Sequence, residues 1–223
     1  MKKRLLALLA ASFCITNVNA VTIEQLPSGG GGGNGTFTND NTWGAEDFTL
    51  TESLSIETLS FWAQSNNSGA TPPGDSADWR IYSDNSNLPN ALLSSGTVST
   101  GNGSYSRTLV NSGSPFSDYK YTLDIVDFVL GAGSYWLAFS PKPEFDATNP
   151  VKGPHWILSN TGNGISALST DGGINWANDY ALGTDNSFNW SYSIEASAVP
   201  VPAAVWLFGS ALIGLVSFRR KSN

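Results

Sequence analysis

Apolar and polar residues alternate one for one along several short stretches of this chain, and no helix packing satisfies that pattern. Phe188, Trp190, Tyr192 and Ile194 alternate with Ser187, Asn189, Ser191 and Ser193. Tyr119, Tyr121, Leu123 and Ile125 alternate with Asp118, Lys120, Thr122 and Asp124. Phe48 and Leu50, Leu59 and Phe61, Trp79 and Ile81, and Tyr135, Leu137 and Phe139 repeat the period. Side chains two apart share one face of a strand, so each stretch reads as a half-buried antiparallel strand. Turn signals separate them at Asn67-Ser68-Gly69, Pro72-Pro73-Gly74, Asn85-Ser86-Asn87, Gly101-Asn102-Gly103, Gly131-Ala132-Gly133 and Asp171-Gly172-Gly173. Charged residues make up only 13% of the chain and glycines number 23, which favours strands and turns over helices. The pattern predicts an all-β fold over residues 43–198, an antiparallel two-sheet sandwich of jelly-roll type. Residues 21–42 form a Gly-rich N-terminal segment around Gly29 to Gly33. That run reads as a tether, since the phosphate-cradling alternative needs a following helix and a Lys that are missing.

The two ends read as targeting segments. Lys2, Lys3 and Arg4 precede an apolar stretch from Leu5 to Ile15, and Val18 and Ala20 are the small residues at −3 and −1. Residues 1–20 therefore read as a secretory signal helix cleaved between Ala20 and Val21. The only cysteine, Cys14, lies inside this leader behind Phe13, where lipid attachment would need a small residue. The exported part would have no disulfide, thiol nucleophile or Cys-based metal site. At the other end, Val199 to Phe218 is an uncharged run of 20 residues followed by Arg219-Arg220-Lys221. That length suits a transmembrane helix, and the basic cluster places residues 21–198 outside the cytoplasm.

The tail Val199-Pro200-Val201-Pro202-Ala203-Ala204-Val205-Trp206-Leu207-Phe208-Gly209-Ser210-Ala211-Leu212-Ile213-Gly214-Leu215, closed by Arg219 and Arg220, resembles the PEP-CTERM protein-sorting signal. Val201 stands where that family's Pro-Glu-Pro core has Glu. The resemblance covers residues 199–223 and implies processing near Pro200 to Pro202 by an exosortase, a membrane-embedded cysteine transpeptidase. It implies an inner-membrane intermediate and then a cell-surface or secreted protein, in bacteria that make extracellular polysaccharide and biofilm matrix. A plain C-terminal membrane anchor is the alternative. Within residues 43–196, phrases such as AEDFTLTESLSIETLSFWAQ and GSYWLAFS resemble a β-sandwich module of secreted bacterial proteins, which brings no catalytic residues with it.

With both ends removed, five Lys and Arg face all 18 Asp and Glu (5 − 18 = −13), which disfavours a nucleic-acid partner. His155 is the only histidine, and no Gly-x-Ser-x-Gly elbow presents a nucleophile, so neither a Ser-His-Asp triad nor a zinc site is expected. Asp75 and Asp78 lie in a loop; Asp124 and Asp127, three apart on one strand, are expected on opposite faces. Asp171, Asp179 and Asp185 fall in Gly- and Asn-rich loops that offer oxygen ligands for a structural calcium ion, against a plainer reading as turn caps. No other cofactor is expected. Trp43, Trp156 and Trp176 lie near loops and are the candidates for stacking on sugar rings, against the plainer reading that they fill the core. The sequence thus predicts a non-enzymatic surface or matrix protein, glycan-binding or purely structural. A secreted polysaccharide hydrolase using carboxylates is the alternative.

Overall fold

The computed structural model describes residues 19–28, 35–36, 41–66, 76–112, 116–142, 155–178, 189–199 and 208. Fifteen strands are found among them: β1 (Ala20–Gln25), β2 (Gly35–Thr36), β3 (Trp43–Leu50), β4 (Leu54–Asn66), β5 (Ser76–Asp84), β6 (Pro89–Ser99), β7 (Tyr105–Ser112), β8 (Phe116–Leu130), β9 (Gly133–Lys142), β10 (His155–Trp156), β11 (Leu158–Ser159), β12 (Ser166–Ser169), β13 (Ala177–Asn178), β14 (Asn189–Trp190) and β15 (Tyr192–Ala198). All their pairings are antiparallel.

One sheet runs β1-β15-β4-β8-β7, with β10 and β2 continuing beside the far end of β4. The other runs β13-β12-β3-β9-β5-β6, and β11 pairs with β14 alone. The chain is an all-β sandwich, as the alternation predicted. Its inner core draws Ile56, Leu59, Phe61, Tyr121 and Leu123 from the first sheet and Phe48, Leu50, Ile81, Leu137 and Phe139 from the second. Phe61 stacks on both Tyr121 and Phe139, at 4.7 and 4.4 Å between centroids, and so ties the sheets together.

Two local departures from strict alternation shape the fold. Leu54 and Ile56 face inward, but so do Leu59, Phe61 and Ala63, a change of parity along one strand. The register shifts between Ile56 and Thr58 against both β15 and β8, and this bulge at Glu57 absorbs the change. Across from it, Asp124 pairs with Thr58 and Phe128 with Ile56, so three residues of β8 stand against one of β4.

The second departure is on β9, where Trp136 is as fully buried as its neighbours Leu137 and Phe139. The second sheet has a small outer core of Trp43, Ala45, Tyr82, Trp136, Ala138 and Ala167, against which Leu88, Ile165 and Trp176 pack. A sheet face that carries a layer of chain is buried on both sides, and alternation then gives way to continuous burial.

Val21 to Gln25, expected as part of a Gly-rich segment, join Ala20, the last residue of the expected leader, in edge strand β1, paired with β15 along its whole length. Residues 20–198 form one compact unit; the other unit, residues 1–19 and 199–223, lies almost wholly outside the described residues.

Candidate functional site

A groove of about 490 Å³ opens between the lips of the two sheets, where β6 of one faces β8 of the other. Strand order explains its position. β6 is the last strand of its sheet, and β7 stops at Tyr105, opposite Leu123. Ser104 O still accepts from Asp124 N at 2.8 Å, but no described strand pairs with β8 on that side beyond this point. The bulged residues Ile125 to Asp127 then line the groove beside an open strand edge.

The lining mixes three kinds of group. Trp79 and Phe128 stack with centroids 5.8 Å apart and planes 12° from parallel. Ser94, Ser95, Thr97 and Ser104 are polar residues of its lining, and Asp124 and Asp127 are exposed acidic ones. Thr97 Oγ1 donates to Asp78 Oδ1 at 2.6 Å, which sets a third carboxylate behind the wall. Trp79 lies directly opposite Gly96, and a Cβ at Gly96 would stand 2.9 Å from the indole nitrogen. Only a glycine lets the ring settle there.

The shared position of Asp124 and Asp127 corrects the expectation that they face opposite sides. Ile125 and Phe128 point toward the core three residues apart, so the bulge inverts the parity between the two acids and both face outward. That phase break was the available sequence signal. Nothing in the sequence singled out Ser94, Ser95 or Thr97, because β6 carries no alternation.

The predicted sugar platforms are placed elsewhere. Trp156 has no exposed surface: it stacks on Trp190 at 5.5 Å, and its indole N–H donates to Ser191 O at 2.6 Å. Trp43 is 2% exposed, and its ring face is taken by the Arg80 guanidinium carbon 3.9 Å from the centroid. Neither is available to a ligand, because packing of the inner and outer cores covers both. Trp176 is half-buried, edge-on to Tyr82 at 5.3 Å.

Asp171 caps its own loop. Its Oδ1 accepts from Ser169 Oγ at 2.8 Å, Ile174 N at 3.2 Å and Asn175 N at 2.9 Å, and its Oδ2 from Asn175 Nδ2 at 2.6 Å. The Asn175 backbone and side-chain donors, with Ser169, lower its pKa to about 2. Asp179 and Asp185 lie outside the described residues. Among the described residues, no group of three or more His, Cys, Asp or Glu is placed to hold a metal ion.

Glu46 is the one fully buried carboxyl group among the described residues. It points between the sheets, with Oε2 accepting from Trp190 N at 2.9 Å and Oε1 lacking a hydrogen-bond partner. Burial pushes its pKa well up, against the pull of the Trp190 hydrogen bond. Asp47, on the other face of β3, is raised by burial despite a 2.7 Å hydrogen bond from Asn163.

Of the processing residues, Ala20 opens β1 directly opposite Ser197, and Val199 follows the last residue of β15. Pro200, Val201, Pro202, Trp206, Gly209, Gly214, Arg219 and Arg220 lie outside the described residues. No described helix is long and apolar enough to cross a membrane. No family model matches the chain, and no curated protein matches its sequence.

Proposed function

We propose that this chain is an exported cell-surface or extracellular-matrix protein whose jelly-roll-like sandwich holds polysaccharide in the β6–β8 groove. The groove carries this reading. The partly exposed ring of Phe128, backed by the buried Trp79, suits the C–H face of a sugar ring, its hydroxyls suit sugar hydroxyls, and its strand edges add backbone donors and acceptors. The leader, with cleavage after Ala20, supports export. The Val199-to-Arg220 tail supports a transmembrane helix and exosortase processing, on the resemblance of its residues.

Isothermal titration of the full chain against a panel of oligosaccharides tests the binding. Micromolar to millimolar affinity, lost in Phe128→Ala, supports it, and no heat from any member sinks it. Intact mass of the protein from membrane and surface fractions tests the sorting. A chain ending near Val199 to Pro202 supports processing, whereas a chain retained through Asn223 in membranes alone makes the tail an anchor.

A carboxylate-dependent polysaccharide hydrolase is the second reading, favoured by the presence of Asp124 and Asp127 on one groove. New reducing ends released from a bound polymer, and abolished by Asp124→Asn or Asp127→Asn, would favour it over binding alone.

A further inference from the structure

We infer that the groove between β6 and β8 is selective for polymers of amino sugars bearing free amines, over their acetylated counterparts, and rejects polymers of uronic acids. The inference rests on the glycan reading and adds the charge of the ligand to it. Asp124 and Asp127 both line the groove, and Asp78 stands behind Thr97 at its wall. Among the described residues, no Lys, Arg or His lines it. The exported part as a whole has 18 acidic side chains against five basic ones, so the surrounding field has the same sign as the groove.

A uronate polymer would bring carboxylates against Asp124 and Asp127 with no cation to accept them, and like charges in contact are strongly disfavoured. A neutral sugar would use the Phe128 ring and the hydroxyls only. A protonated amine on the same ring keeps those contacts and adds charge-assisted N–H donors to the two exposed carboxylates. Each exposed charge pair contributes a few-fold in affinity, and two together give about tenfold.

Titrating the full chain in detergent micelles with a glucosamine oligomer, the same oligomer fully N-acetylated, and a polyuronate oligomer tests this directly. The expected result is about tenfold tighter binding of the free-amine oligomer than of its acetylated form, with no binding of the polyuronate. The preference should shrink in high salt, because the carboxylates are exposed. Asp124→Asn/Asp127→Asn should remove the preference, so that the variant binds the free-amine and acetylated oligomers equally. This comparison does not depend on the variant folding, because salt and acetylation alter the wild-type interaction alone. Equal binding of the two glucosamine oligomers, or binding of the polyuronate, would overturn the selectivity and leave the glycan reading standing. Silence from all three oligomers would overturn both.

Discussion

The carboxyl group of Glu46 on β3 accepts a 2.9 Å hydrogen bond from the backbone N–H of Trp190 on β14, across the interior of the sandwich. Its second oxygen and the Gln25 side-chain oxygen are both buried without a donor. A proton on Glu46 supplies the donor that this pocket lacks, in line with the upward shift that burial imposes.

That arrangement predicts the direction of the pH dependence. A carboxyl raised in the folded state contributes stability that is complete below its unfolded value, 4.5, and lost as pH rises through the higher folded value. Asp47, also raised, adds a change of the same sign. Urea midpoints measured upward from pH 4.5 should therefore fall, and Glu46→Gln should flatten the decline, since the amide keeps an acceptor for Trp190 N and gains a donor. Glu46→Ala should cost about 2–4 kcal/mol by orphaning that N–H and leaving a cavity. A pH profile unchanged by Glu46→Gln would refute the assignment.

The strand pattern was legible because one face of most strands meets water, as at Phe48 against Thr49. It failed where that premise failed. Trp136 sits at an outward position of β9, and it is buried in the outer core against which Leu88, Ile165 and Trp176 pack, segments remote from it in the chain. The groove was hidden for a related reason. Its acids converge through a bulge, visible in sequence only as a three-residue step between core positions, and its far wall comes from a strand with Leu92 and Leu93 both exposed. The buried Glu46 was equally unreadable, because a lone acid within a strand normally marks the solvent face.

Gly96 predicts how tightly the groove wall is fitted. A Cβ there would meet the Trp79 ring at 2.9 to 3.1 Å, and that ring is held from another side by Phe128. Gly96→Ala should cost about 1–3 kcal/mol through displacement of the indole. Urea unfolding followed by tryptophan fluorescence reads the loss, and a red shift of the native emission would report the newly wetted ring. An unperturbed, equally stable variant would mean that the wall yields freely.

Asp171 predicts a local effect. Its carboxylate gathers the backbone N–H groups of Ile174 and Asn175 with the Ser169 hydroxyl, and Gly172 and Gly173 next to it adopt φ of 80° and 81°. Asp171→Ala should speed hydrogen exchange at the Ile174 and Asn175 amides while leaving exchange in β4 and β8 unchanged. Because the carboxyl is lowered to about 2, the cap contributes in full above the ordinary carboxylate value of 3.8 and is lost progressively as pH falls from there through about 2. The protections at pH 5.5 and pH 7 should therefore match; loss already at pH 5.5 would contradict the geometry.

Arg80 separates the outer core from the ligand groove. Its guanidinium covers the Trp43 ring and donates to Gly172 O, joining β5 to the loop that carries Asp171 and Trp176. Arg80→Lys keeps the charge but loses the planar stack and fork, and should cost about 1–2 kcal/mol. If Trp43 and Trp176 serve packing rather than ligand contact, Arg80→Lys and Trp176→Ala will lower the melting temperature yet leave oligosaccharide affinity within about threefold, since neither side chain lines the groove. Phe128→Ala should do the reverse: its ring is partly exposed beside the groove, so binding falls more than stability does. A large affinity loss in Trp176→Ala, with Phe128→Ala unaffected, would move the binding surface from the sandwich lip to the outer face.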